Sequence, residues 1–353
     1  MDPWRWRRIG RAIQRLALPT APRGWPFALW LGAVGYLAFV AASAVGLWWL
    51  GDRWWAATGL LFGPRWLVML PLPPLLVASW ITDRGLVPLL AVSGAITLGP
   101  VMGLRLGWRA WLPDSADGPI LRIASFNVQG DAVGARVRAL LLEWEVDVLA
   151  SQECGASVED ALQAAIGWHV DLHEGLCLAS RFPIAGVWRM EREVFAEVGG
   201  AALVATYGLD LGPDTVYLTN VHFDTPRDGL EPLRGGDFAE GIPRLADKTT
   251  LRGIEHRRAR EWLDGFPPGR VVAGDFNAPV ESVIYQESWG DWTNAFSAAG
   301  WGFGRTRMSR WIRARIDHIL SDDRWVVHRS WVGPDVGSDH RPLFAELRLR
   351  PRT

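Results

Sequence analysis

RVVAGDFN, residues 270 to 277, runs from apolar β-branched residues into a Gly-Asp-Phe-Asn turn. Reading it as a strand that delivers Asp275 and Asn277 to a polar rim decides the fold. The same arrangement recurs on both sides of it. ILRIASFN (120 to 127) ends in Asn127, VDVLASQE (146 to 153) ends in Glu153, and TVYLTNVHF (215 to 223) carries His222 near its end. GLCLAS (175 to 180), AALVATYGL (201 to 209), ARIDHILS (314 to 321) and PLFAELRL (342 to 349) are further β-rich runs. Asp317 and His318 interrupt the run at 314 to 321, and Asp339-His340 precede the last. Helical spacing of apolar residues appears over 133 to 144, 157 to 166 and 250 to 264. Several strands are apolar throughout instead of alternating, which predicts two stacked sheets, each covered on both faces and flanked by helices.

Charge divides the 353-residue chain. Residues 25 to 104 hold only five charged side chains, Asp52, Arg53, Arg65, Asp83 and Arg84. Residues 25 to 50 are 26 consecutive uncharged residues, more than the roughly 20 that cross a bilayer as a helix. Residues 66 to 82 and 85 to 104 are two further candidate spans, interrupted by Pro71, Pro73, Pro74, Pro88 and Pro100. A cleaved signal peptide competes for the first run, but that run exceeds a signal core and further apolar runs follow it. Twelve of the 22 tryptophans fall within residues 4 to 111, many at span ends, as interfacial anchors do. Arg5, Arg7, Arg8, Arg11, Arg15 and Arg23 stand against Asp2 alone, which predicts a cytoplasmic N-terminal segment over residues 1 to 24. Three crossings then predict an extracytoplasmic soluble part. Residues 105 to 118 read as a linker, so the soluble domain is expected over 119 to 353.

The net charge of −1 gives no reason to expect a strongly basic nucleic-acid surface, and it neither supports nor excludes a polyanionic substrate. Cys154 and Cys177 admit one bridge, suited to an oxidising compartment, or two buried free thiols. Taken singly, the polar strand-end residues are weak evidence. Asn127 and Asn277 commonly cap turns, Glu153 is commonly solvated, and His222 is as readily a satisfied buried histidine. Their order along the chain changes that.

ASFNVQG (124 to 130), DVLASQE (147 to 153), TNVHFDTP (219 to 226), AGDFNAP (273 to 279), RIDHIL (315 to 320) and GSDHRPL (337 to 343) together resemble the endonuclease/exonuclease/phosphatase superfamily. ASRFPI (179 to 184) is similar to its Ser-Arg-x-Pro stretch, and the resemblance covers roughly residues 120 to 350. It implies an α/β (α+β) fold, a four-layer α/β/β/α sandwich of the deoxyribonuclease-I-like type, here preceded by a transmembrane helical region. It further implies hydrolysis of a phosphate ester with Mg²⁺ (or Mn²⁺). Glu153 matches the principal metal ligand, with Asn127 beside it and Asp339 at a position that can join the metal site. Asp275 matches the residue that orients or deprotonates the attacking water, and Asn277 the one that holds a phosphate oxygen. His340 matches the catalytic histidine that contacts the phosphate, Asp317 the carboxylate that orients it, and His222 a second histidine that stabilises the transition state or assists the leaving group.

His318, directly after Asp317, points to the opposite side of the strand and reads as structural. Arg181 suits either a phosphate contact or a loop brace. Arg252, His256, Arg257 and Arg260 read as a solvated helix face in preference to a groove lining. DGLEPLRGGDFAEGIPRLADK (228 to 248) is long for a connection and reads as a substrate-selecting loop. The sequence therefore points to an integral protein of a bacterial cell membrane that hydrolyses a phosphodiester, nucleic acid or lipid head group undetermined, with membrane lipid around its helices and no protein partner implied. The bacterial assignment follows from resemblance to membrane-anchored family members. A non-catalytic membrane-bound binding module that keeps the fold is the alternative.

Overall fold

A computed structural model describes residues 24–107, 118–197, 199–308 and 313–351. The expected N-terminal basic segment and most of the expected linker lie outside these residues. The chain divides into two compact units: residues up to Ala44 with Trp66–Val101, and Val45–Arg65 with Met102 onward.

The first unit is helical and apolar. Three helical stretches, Pro26–Leu50, Arg65–Thr82 and Arg84–Val101, are long and apolar enough to cross a membrane. The prolines expected to interrupt the latter two do so. Arg65–Met69 and Arg84–Leu86 are 3₁₀ turns, Leu72–Thr82 and Val87–Ile96 are α-helices, and Thr97–Val101, containing Pro100, is π-helical. Tyr36 ties the three stretches, its hydroxyl lying 3.2 Å from the Val68 carbonyl and 3.3 Å from the Thr97 hydroxyl.

The second unit holds the strands β1 (Arg105–Leu106), β2 (Ile120–Gly130), β3 (Val148–Cys154), β4 (His169–His173), β5 (Leu176–Ser180), β6 (Ile184–Arg189), β7 (Leu203–Asp210) and β8 (Thr215–His222). They continue with β9 (Arg270–Asp275), β10 (Thr293–Asn294), β11 (Trp301–Gly302), β12 (Arg307–Met308), β13 (Arg313–Ala314), β14 (Asp317–Ser321), β15 (Trp325–Val332) and β16 (Leu343–Leu349). Two six-stranded sheets result, ordered β15-β16-β2-β3-β5-β4 and β10-β14-β9-β8-β7-β6. Each has one parallel pair, β2 with β3 and β8 with β9, among antiparallel neighbours. The stretch expected as a linker begins as a strand, because Arg105 and Leu106 pair with Gly302 and Trp301.

Unalternating apolar strands are explained by the layers. Along β2, Leu121 and Ile123 enter the core between the sheets, while Ala124, Phe126 and Val128 face the other way, under Val137, Leu140, Val158 and Leu162 of helices Arg136–Glu143 and Ala156–Gln163. The second sheet repeats the scheme. Ala205, Leu218, Val271 and Ile319 meet the first sheet, and Val204, Val221 and Val272 pack under Ala259 and Leu263 of helix Phe238–Asp264 and Trp289 of helix Val283–Trp289. The result is the α/β/β/α sandwich. A polar tie crosses the inter-sheet core: Gln152 Nε2 donates to Asn220 Oδ1 at 2.7 Å, and Asn220 Nδ2 donates to Ser151 O at 2.9 Å. Cys154 and Cys177 form a disulfide and are not free thiols.

Two expectations fail here. Residues 228 to 248 are not a loop: they form helix Arg227–Arg234 and the start of helix Phe238–Asp264, which is capped by Asp237 through a 3.0 Å bond from Glu240 N. Pro232 and Pro243 inside the helices, with Gly235-Gly236 between them, hid the helical pattern. Nor are Arg252 and His256 part of a solvated face, since both are fully buried, whereas Arg257 is exposed as expected. Trp289 Nε1 donates to His256 Nδ1 at 2.9 Å, which leaves Nε2 to donate to Phe276 O at 3.1 Å. Arg260 pairs with Asp291 and Asp264.

Burial, and then the charge of Arg252, hold the His256 pKa well below its ordinary value. Burial and then Arg315 hold that of His318 down to about 3. Below the unfolded pKa of ~6.5 the unfolded chain takes up protons that these folded histidines refuse. The contribution of these two histidines is therefore fully present above that pH and falls as pH drops, at up to ~1.4 kcal/mol per pH unit for each. Thermal midpoints between pH 7.5 and 5 are expected to decline, with a shallower slope in His318→Asn. Identical slopes for the two proteins would contradict this.

Candidate active site

Sheet register, not sequence proximity, assembles the site. In the second sheet Asp275 lies opposite Asp317 on one side and His222 on the other. In the first, Asn127 pairs beside Gln152 and Glu153 follows at the end of β3. Gly274 permits the close β8–β9 approach, because a Cβ there would lie 2.0 Å from Val221 O. Glu153 and Asn277 leave their strands with left-handed backbones, φ 53° and 47°, a conformation that costs non-glycine residues and turns these side chains out of the strand alternation.

Asp275 is the hub. Its Oδ2 accepts from Asn127 Nδ2 at 3.1 Å and lies 3.6 Å from His340 Nε2 and 3.9 Å from His222 Nε2. Its Oδ1 accepts from Asn277 N at 2.9 Å. Burial and then the neighbouring Asp317 raise its carboxyl pKa, opposed by His340 and His222. Glu153, with 42% of its side chain exposed, accepts from Asn127 Nδ2 at 2.8 Å and lies 3.5 Å from His222 Nε2.

His340 Nδ1 lies 2.8 Å from Asp317 Oδ2, while Asp317 N donates to Thr306 Oγ1 at 3.1 Å. Burial works against a charged imidazole, but Asp317 and then Asp275 outweigh it and raise the His340 pKa to about 9. The ring is thus a cation whose Nδ1–H is held by Asp317 and whose Nε2–H faces the hub.

All eight expected residues converge here, although Asn127 arrives in a different posture. Its amide nitrogen faces both carboxylates, and its Oδ1 accepts from Gln129 N at 3.0 Å. Asn277 Nδ2 donates to Phe223 O at 2.8 Å. His318 points away, with Nε2 2.8 Å from Ala278 O. Arg181 lies over the Trp168 ring, 5.2 Å from its centroid, as a brace.

Gln129 and Ser338, inside the quoted motifs, and Arg307, outside them, also contribute. Arg307 pairs with Asp339 Oδ2 at 2.6 Å, Gln129 Oε1 accepts from Asp339 N at 3.1 Å, and Ser338 Oγ donates to Asn127 O at 2.8 Å. Phe62, in helix Trp55–Phe62 far from the motifs, lines the same cavity of ≈ 440 Å³ as Glu153, His222, Asp275 and His340.

Two overlapping groups could hold a metal ion: Glu153, His222 and Asp275, and Asp275, Asp317 and His340, the ligand atoms of each within 4.8 Å of one another. Asp339 Oδ1, which lies 3.9 Å from His340 Nε2, is buried and has no hydrogen-bond partner among the described residues. A partly exposed carboxylate, a buried one and an unsatisfied carboxylate oxygen suit a hard divalent cation.

A sandwich of two sheets with this carboxylate–histidine rim at the strand ends is the architecture of a superfamily of phosphoesterases. The chain belongs to the endonuclease/exonuclease/phosphatase family, whose profile matches residues 124–340. The chain is also similar to solved structures. Zebrafish (D. rerio) TDP2, complexed with a single-strand DNA product, is 16% identical over 67% of this chain and 100% of its own, with a TM-score of 0.50. The endonuclease/exonuclease/phosphatase from Beutenbergia cavernae DSM 12333 is 18% identical over 65% and 72%, with a TM-score of 0.48. Bacteroides thetaiotaomicron mannosyl-6-phosphatase is 15% identical over 64% and 99%, with a TM-score of 0.47. Among curated proteins none matches the chain. The family is typically dependent on divalent metals, and the groups described above can bind one.

Proposed function

We propose that this protein is a membrane-anchored, divalent-metal-dependent phosphodiesterase that cleaves its ester by attack of water, with Mg²⁺ (or Mn²⁺) as cofactor. The observation that carries the reading is the convergence on Asp275 Oδ2 of Asn127, His222 and His340, within 3.1 to 3.9 Å. Asp275 is the base that takes the proton of the attacking water, its raised pKa bringing it closer to the operating pH. The charged His340, locked by Asp317, binds a phosphoryl oxygen and stabilises charge that develops there. His222, less buried, donates toward the leaving oxygen, and Asn277 holds a second phosphoryl oxygen. Glu153 and Asp339 would hold the ion, with Asn127 fixing the Glu153 carboxylate. When bound, the ion supplies polarisation of the phosphoryl group and charge neutralisation at the leaving oxygen.

We further propose that the catalytic unit is extracytoplasmic. Residues 51 to 64 connect the first two candidate spans, yet they belong to the unit that contains the sheets. A two-span chain would put this connector and the sheets on opposite faces of the bilayer, so their shared packing supports three crossings. With a cytoplasmic arginine-rich N-terminus, three crossings lead outside. The Cys154–Cys177 bridge suits that compartment.

One experiment tests both readings. Intact bacteria expressing the protein are given bis-p-nitrophenyl phosphate, an anion that does not cross the membrane, with Mg²⁺ or with EDTA. Hydrolysis is expected with Mg²⁺, loss of at least ~90% of it with EDTA, and recovery on adding Mg²⁺ back. Hydrolysis only after lysis would overturn the location, and undiminished hydrolysis in EDTA the metal dependence. A protein that binds Mg²⁺ but hydrolyses nothing would be the binding module.

A further inference from the structure

The catalytic residues occupy one side of the ≈ 440 Å³ cavity, and the other side is a wall they do not explain. That wall is helix Arg227–Arg234, where Arg227, Leu230, Glu231 and Arg234 all line the cavity. Their spacing, i, i+3, i+4 and i+7, is a single helical stripe.

The helix is held so that no other stripe can face the cavity. A Cβ on Gly229 would lie 2.6 Å from Leu245 Cα, and one on Gly241 would lie 2.6 Å from Leu233 Cγ, so the opposite face is pressed against helix Phe238–Asp264. The turn leading into it is pinned as well. Lys248 Nζ pairs with Asp224 at 2.7 Å and Asp228 at 3.3 Å, and Asp224 N donates to Glu255 Oε2 at 2.9 Å. Of the three arginines on the cavity, Arg307 is neutralised by Asp339. Arg227 and Arg234 are exposed and have no ion pair among the described residues. Phe62 and Leu230 add apolar surface to the same cavity.

Building on the phosphodiesterase reading, we infer that this stripe is a subsite for a second anionic group on the part of the substrate that is not attacked, with Phe62 and Leu230 covering the atoms between the two anions. The substrate class is a small phosphoester with two anionic groups. A cavity of ≈ 440 Å³ has the size of a small-ligand pocket. Free guanidinium groups on a rigid element recognise phosphate or carboxylate with little loss of conformational entropy.

The test compares bis-p-nitrophenyl phosphate, which has no second anion, with thymidine 3′-phosphate 5′-(p-nitrophenyl phosphate), which has one. Arg227→Ala and Arg234→Ala are expected to raise KM for the second substrate about tenfold or more each, leave its kcat nearly unchanged, and leave the first substrate unaffected. Calorimetry of the full-length protein in detergent reads binding apart from turnover. Kd for thymidine 3′,5′-bisphosphate is expected to rise by the same factor in each variant. Equal effects on both substrates, or an unchanged Kd, would overturn the subsite. If the unaltered protein cleaves neither ester yet binds the bisphosphate in an arginine-dependent way, the subsite stands and the phosphodiesterase reading fails.

Discussion

Asp275→Asn is expected to lower kcat/KM toward bis-p-nitrophenyl phosphate by roughly 10³-fold while leaving the thermal midpoint unchanged or raised. Both halves follow from the position of the carboxyl group. Its Oδ2 accepts from Asn127 Nδ2 and faces His340 Nε2 at 3.6 Å and His222 Nε2 at 3.9 Å, and an amide of the same shape cannot take a proton from water. The same group is buried beside Asp317, and those two facts raise its pKa, so neutralising it relieves a cost in the folded state. Loss of activity with a lowered midpoint would point to a structural carboxylate. Retained activity would remove Asp275 from the reaction.

Asp52→Ala is expected to destabilise the second unit by about 3–5 kcal/mol, read as a lower thermal midpoint in detergent. Asp52 and Arg252 form an ion pair at 3.3 Å with side chains 1% and 0% exposed. Ser282 Oγ also donates to Asp52. Arg252 continues inward, donating to Asn277 O at 2.7 Å and Asp224 O at 3.2 Å. Removing Asp52 leaves a buried guanidinium without its counter-charge, which costs far more than the pair contributes. Asp52→Leu with Arg252→Met is expected to recover most of the midpoint but not the activity, because the Asn277 carbonyl still lacks its donor. A single variant with the unaltered midpoint would contradict the account.

What could be read from the sequence follows a physical division. Asn127, Glu153, His222, Asp275, Asp317 and His340 stand at the ends or breaks of apolar runs, which marks each only weakly; their order along the chain, similar to the family's motifs, is what makes the set legible. The layered core was legible for a related reason: strands such as IASF in β2 lack polar alternation only when both faces are covered. The helix at 227 to 234 was not, because Pro232 and the adjoining glycines mimic loop composition. β4, β6 and β15, with HVDLH, IAGVWR and WVVHRSWV, mix polar and apolar residues at sheet margins and gave no clean run. Partners such as Asp52 and Arg252, 200 residues apart, have no local signature at all. Charge on a helix is commonly solvated, and Arg252 and His256 are buried only because Asp52, Phe276 O and Trp289 partner them.

The segment between the first two apolar stretches changes where the enzyme can be cut. An expression boundary at Pro119, chosen from the motifs alone, yields a soluble fragment without Asp52, Phe62 and Arg65. Such a fragment keeps every motif residue, yet Arg252 and Glu281 are stripped of their counter-ions and the cavity loses Phe62. Its yield and turnover would report on the missing piece as much as on the chemistry. A faithful water-soluble version needs residues 51 to 65 restored, by co-expression or by a short graft to the front of β1.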